Sequence, residues 1–453
     1  MKRRPPSSRH ARRQRPVGTC IAAAVLTLGF ALPRIGTLLR AAPPSDATVG
    51  SVPALRGDAL PPTLSATALF ADLAALRPAA DVVAYELNVP FWSDGAAKMR
   101  WVRLPPGTQI HTRADGTWSL PPGTTFVKHF EIATGAAKPQ ARKRLETRVL
   151  VVSADGTVDG ATYRWRADAS DAEIVHARAE DRLEVRSSDA TTVTQVWHYM
   201  PGADCRTCHT PQAGGVLGIN PEQLNRDVST DGASRNQLSL WRELGLLAGD
   251  PDPAIRAPLP ALDDAAIPIE QRARAWLAVN CAQCHTPGGA PTEFDLRYAT
   301  PLARTGLING RARINLGIDN ARAIAPKDPW RSMILRRMET LDGNRMPPLA
   351  HERVDERGRD LLRAWIASLP GAPVLAPPVL ATGAGAARVP LTVTIAHPDP
   401  AITIRYTIDG SAPISSSPPY EGPIRLEKPA TLRARAFRDG HTRSIVAQRT
   451  FGR

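Results

Sequence analysis

The sequence predicts a multidomain α+β chain, and three observations predict it. Between Tyr85 and Met200, β-branched and aromatic segments alternate with Asp-Gly and Pro-Gly pairs, the grammar of hairpins in an antiparallel β domain. From Pro201 to Gly371 that grammar gives way to helical periodicity around two Cys-x-x-Cys-His motifs. From about Pro373 to Arg453 strand-like segments return. The 453 residues suffice for two to four domains with cores of their own.

In chain order, residues 1–16 are Arg-rich and Val17 to Leu32 form an apolar run closed by Pro33 and Arg34. The run is shorter than the roughly 20 apolar residues of a membrane span. Residues 1–40 therefore read first as a signal peptide and second as an uncleaved membrane anchor, and the mature chain is expected in the periplasm or otherwise exported. Cys20 opens the apolar run instead of following it, so a lipoprotein cleavage site is not expected. Residues 41–63, rich in Ala, Pro and Ser, read as a linker. Residues 64–200 are the β-rich domain, with strands expected at Met99–Leu104, Thr124–Ile132, Leu145–Val152, Thr162–Trp165 and Thr192–Tyr199. Residues 201–265 form a first motif-bearing unit, with helical patterns at Pro221–Asp227 and Asn236–Leu247. Residues 266–371 form a second, with helices expected over Ile269–Val279, Pro329–Met338 and Asp355–Leu369. Residues 372–453 are the C-terminal β domain.

The motifs are Cys205-Arg206-Thr207-Cys208-His209 and Cys281-Ala282-Gln283-Cys284-His285. Two thiols three positions apart can add to the two vinyl groups of one porphyrin, and the adjacent imidazole then lies beneath the iron. A four-Cys zinc site would use the thiols and leave both histidines unexplained. The expectation is two covalently bound haem c groups, on Cys205/Cys208 and Cys281/Cys284, with His209 and His285 as axial ligands. Met346, in Arg345-Met346-Pro347-Pro348 and sixty-one residues beyond His285, is the expected second axial ligand of the second iron. The bland alternative is a core methionine.

Composition narrows the partners. The net charge of +14 is concentrated in residues 1–40, which hold nine basic residues and no acidic one; the remainder carries 48 basic against 43 acidic residues. The excess is thus mainly a targeting signature, and no nucleic-acid partner is expected. Four of the five cysteines are in the motifs, which leaves no pair for a structural disulfide.

Residues 266–370 resemble a class I cytochrome c, through Cys281–His285, Met346-Pro347-Pro348 and Ala364-Trp365-Ile366. More broadly, residues 85–370 resemble a bacterial family of diheme c-type cytochromes. The stretches that carry this are Pro90-Phe91-Trp92-Ser93-Asp94-Gly95, Phe126-Val127-Lys128-His129-Phe130, Arg144-Leu145-Glu146-Thr147-Arg148, Cys208-His209-Thr210-Pro211 with Gly214 to Gly218, Arg272 to Ala275, and Ile324-Ala325-Pro326. The resemblance implies α-helical cytochrome c haem units and redox partner proteins: a dehydrogenase of the pyrroloquinoline-quinone type as donor, another cytochrome or an oxidase as acceptor. Residues 373–453, through Thr403 to Ser411, Tyr420 to Ile424 and Leu432 to Phe437, resemble the C-terminal domain of chitobiases and hexosaminidases. That resemblance implies an immunoglobulin-like β-sandwich, read here as a spacer or docking module without sugar-cleaving residues.

The first haem unit has no methionine between His209 and Met333. Upstream candidates for its second axial ligand are His129, Lys128, Met99, His198 and Met200. Strand alternation puts Lys128 and His129 on opposite faces, so at most one aims at the iron, and His129 is the candidate chosen. The expected function is periplasmic electron transfer from a dehydrogenase to a downstream respiratory acceptor, with no catalytic residues assigned. The alternative is a diheme peroxidase-like enzyme, which requires a five-coordinate first haem.

Overall fold

The computed structural model describes Leu55 and residues 59–134, 142–186, 191–230, 232–249, 257–290, 293–382 and 388–452. The expected signal or anchor segment, with Cys20, and most of the 41–63 linker lie outside the described residues. Among the described residues no helix is long and apolar enough to cross a membrane.

The largest element is a six-stranded antiparallel sheet in the order Ala172–Ile174, Val158–Trp165, Arg142–Val152, Thr125–Ala133, Ala97–Arg103, Val83–Ala84. Asp-Gly and Pro-Gly pairs turn the chain between its strands, as at Gly123 and Gly156, whose φ values of 88° and 80° suit glycine. Alternation divides the side chains between two faces. One face buries Trp101, Val127, Val149, Tyr163 and Trp165 against Leu64, Leu69 and Leu76 of the preceding segment. The other buries Val102, Phe126 and Val158 against Tyr85, Leu224, Leu238 and Trp241. A hairpin, Ala179–Arg186 with Thr192–Tyr199, extends from the sheet and leads into the first motif.

The expected fold class needs correction. Among the described residues strand predominates over helix, and they do not form α-helical cytochrome units. Residues 201–265 hold short 3-10 turns, a β-hairpin at Asp227–Thr230 and Ala233–Asn236, and two small helices, Pro221–Leu224 and Gln237–Glu243. Asn225, Asn236 and Gln237 explain why helix does not propagate: Asn236 caps the second helix through its side chain, and Gln237 bonds back to Glu86 and Leu224. Residues 266–371 are mostly irregular loops around helices Ile269–Asn280, Met333–Glu339 and Glu356–Ser368. The prolines and glycines between residues 286 and 326 favour turns and bridges over helix there.

The first and third of these helices pack together around Trp276, Leu277, Leu362, Trp365 and Ile366. Burying Leu362 and Ile366 contributes roughly 1.5–3 kcal/mol apiece. Asp355 caps its helix by accepting from the Gly358 amide at 3.0 Å, and its other oxygen accepts from Trp276 Nε1 at 2.9 Å. A Cβ at Gly358 would lie 2.4 Å from the Trp276 ring, so only glycine lets the helices approach this closely.

The C-terminal domain is two three-stranded antiparallel sheets. Leu391–Ala396 alternates buried and exposed residues, and Leu391, Val393, Ile395, Leu432 and Phe451 fill the core between the sheets. Arg331 fastens this domain to the preceding unit. Its guanidinium pairs with Asp328 at 2.7 Å and donates to the carbonyls of Arg443 and Ser444, both at 3.1 Å.

Candidate functional site

The two motifs share one local fold. In the first, a 3-10 helix over Gly202–Thr207 follows Pro201, and the amides of Cys208 and His209 donate to the Cys205 carbonyl at 3.2 and 3.0 Å. In the second, the Ile269–Asn280 helix ends at Cys281, whose carbonyl accepts from Cys284 and His285 at 3.1 and 2.9 Å. Each turn therefore presents two thiols and an imidazole from five consecutive residues.

The first motif is pressed onto the sheet. A Cβ on Gly202 would stand 2.1 Å from the Gly160 carbonyl oxygen, so no larger residue fits this seat. Beyond the motif, Thr210 caps the Pro211–Ala213 turn, and Gly214 and Gly215 take φ of 83° and 74° to bring the chain back. The Gly215 carbonyl then meets His209 Nδ1 at 2.9 Å. That contact makes Nδ1 the protonated nitrogen and leaves the Nε2 lone pair for another group.

The second motif is held from the β domain. The Trp92 amide donates to the Asn280 side chain at 2.7 Å, next to Cys281, and Trp92 Nε1 donates to the Arg353 carbonyl at 3.2 Å. Asp94 Oδ1 accepts from the amides of Glu352 and Arg353 at 2.8 and 3.0 Å. The Pro90–Gly95 stretch is thus the tie between the β domain and the loop that follows Met346. His285 stacks on Phe294 with ring centroids 6.2 Å apart.

The motifs lie side by side. Cys284 is near enough to help raise the Cys208 thiol, and Gln212, just past the first motif, approaches Gly288, just past the second. The thiols of Cys205, Cys208, Cys281 and Cys284 are free. Burial raises all four, Cys281 to about 12. Burial lowers both imidazoles, His209 to about 4. At neutral pH the site therefore offers protonated thiols and neutral imidazoles. Such thiols are poor nucleophiles, which argues against a dithiol exchange enzyme; neutral imidazole is the form that donates a lone pair.

Met346 is half-buried, and its amide donates to the Arg337 carbonyl at 2.9 Å; the Arg337 charge in turn acts on His285. Met346 and His285 thus share a neighbour. Met200 and His198 line a crevice of about 170 Å³ with Arg345, Pro348 and Glu352, on the same loop as Met346. His129 is not brought to the first motif. It is fully buried on the opposite face of the sheet, with Nδ1 2.8 Å from Thr147 Oγ1, Nε2 3.3 Å from Glu131 and its ring edge-on to Trp165. Lys128 faces the motif instead: its charge and that of Arg148 act on Cys208 and His209. Arg148 and Arg100, on the strands to either side of Lys128, were not legible as site residues, because only the strand register aligns them with Lys128.

The expectation of two covalently bound haem c groups is also corrected. Among the described residues no three His, Cys, Asp or Glu side chains gather in a group that could hold a metal ion. Nor does a cytochrome family emerge from comparison with known families. Residues 382–448 match the chitobiase/beta-hexosaminidase C-terminal domain. No curated protein matches the chain. Established similarity therefore reaches the C-terminal β domain, and the paired motifs stand on their own geometry.

Proposed function

We propose that the chain is an exported electron-transfer protein that works at the adjacent pair of Cys-x-x-Cys-His motifs. It accepts electrons from a dehydrogenase and passes them to a downstream respiratory acceptor. The observation that carries this reading is the side-by-side seat of two matching Cys-x-x-Cys-His turns between a β sheet and a helix pair. The resemblance of residues 85–370 to diheme c-type cytochromes supports the same role and suggests a pyrroloquinoline-quinone-type dehydrogenase as donor. The Arg-rich, then apolar, N-terminal sequence supports delivery to the periplasm.

The test is stopped-flow mixing of the purified full-length chain with a reduced quinoprotein dehydrogenase, together with the mass of the denatured protein. Rapid reduction that disappears when Cys205, Cys208, Cys281 and Cys284 are all replaced by Ala is expected. A chain that takes up no electrons from this or any chemical reductant would refute the reading.

A further inference from the structure

A row of cations on the sheet is unexplained by the electron-transfer reading. In register, Arg100 stands opposite Lys128 and Lys128 opposite Arg148, on three adjacent strands and one face. Like charges directly opposite one another oppose pairing. Lys98 adds a fourth cation next along, donating to the Phe91 and Ala96 carbonyls. Glu146 is committed to Arg148 at 2.5 Å, and Glu86, which acts on Arg100, pairs with Arg226 at 2.9 Å. Arg100 Nη2 is buried and has no hydrogen-bond partner. Lys128 Nζ lies 5.2 and 4.9 Å from the ring centres of Phe91 and Phe130, and the Arg148 guanidinium 5.0 Å from Phe130. This charged, aromatic face is the one on which the first motif sits.

We propose that Arg100, Lys128 and Arg148 bind the carboxylates of an organic anion seated between the sheet and the first Cys-x-x-Cys-His motif. Guanidinium forks match carboxylates, and the two rings favour a ligand with a hydrocarbon body over inorganic phosphate. The ligand is a free dicarboxylate. The assignment needs only the charge row and does not rest on the direction of electron flow.

The purified full-length chain is titrated calorimetrically with sodium succinate and with sodium phosphate, and melted, beside Lys128→Met, Lys128→Arg and Arg148→Gln. A free ligand gives succinate binding that exceeds phosphate binding, weakens tenfold or more in Lys128→Met and survives in Lys128→Arg. If Lys128→Met fails to fold, Arg148→Gln is read in the same way. No succinate heat with the wild-type chain would overturn the assignment. Phosphate binding as tight as succinate binding would overturn the organic class.

Discussion

Gly202→Ala probes the seat of the first motif most sharply. The added methyl would lie 2.1 Å from the Gly160 carbonyl oxygen, with the Gly160 carbonyl carbon at 3.2 Å. An ordinary carbon–oxygen contact is over 1 Å longer, so the motif must lift from the sheet by about that much. The obstacle is backbone of the Val158–Trp165 strand, paired there to Leu150, and cannot turn aside as a side chain would. Overpacking of this kind costs roughly 1–3 kcal/mol. Urea unfolding, with the slope checked for constancy, measures that loss, and the reduction rate of the variant should fall with it because Cys208 moves relative to Cys284. Gly202→Ala that unfolds with the wild-type midpoint and reduces at the wild-type rate would show that the motif is not seated on Gly160.

Arg331→Met should detach the C-terminal domain. It strands Asp328 with its two backbone amide bonds but without its ion pair, and empties the contacts to Arg443 and Ser444; the cost is about 3 kcal/mol, read as faster limited proteolysis after Gly371. Unchanged proteolysis would refute the fastening role. Asp94→Ala removes two backbone bonds that hold the Met346 loop and should cost about 1.5–3 kcal/mol in chemical denaturation. Trp276→Phe keeps most of the packing and loses the bond to Asp355, a loss of about 1 kcal/mol. Burial lowers Lys98 to about 7, well below its value in the unfolded chain, so the unfolded state binds the extra proton and stability should rise from about pH 7 towards pH 10. Lys98→Met should flatten that rise, measured by unfolding at a series of pH values, and an equally steep profile would exclude Lys98 as its source.

Much of the sheet was legible because its signals are local. Alternation and turn pairs placed strands at Met99–Leu104, Thr124–Ile132, Leu145–Val152 and Thr192–Tyr199, and the observed strands begin or end within a few residues of each. Periodicity in Ile269–Val279 and the Asp355 cap likewise marked helices that form. Periodicity did not show how little helix surrounds them, since residues 201–265 and the long loops around the second motif are organised by side-chain bonds to distant strands, such as Gln237 to Glu86 and Asn280 to Trp92. The motifs themselves were visible as letters; their adjacency was not, because it depends on tertiary contact. For His129, alternation correctly separated it from Lys128, yet nothing in the sequence says which face of a strand meets the motif. Phe126, Lys128 and Phe130 share that face, and the apolar residues flanking His129, Val127 and Phe130, belong to different faces.

In the proposed function the two turns act together as one electron-carrying site. Protein-film voltammetry of the full-length chain tests it directly, beside the Cys205→Ala/Cys208→Ala and Cys281→Ala/Cys284→Ala pairs. Reversible waves are predicted for the wild type, with each pair removing one wave and shifting the midpoint of the other. A silent electrode, or waves that survive in both variants unchanged, would contradict it.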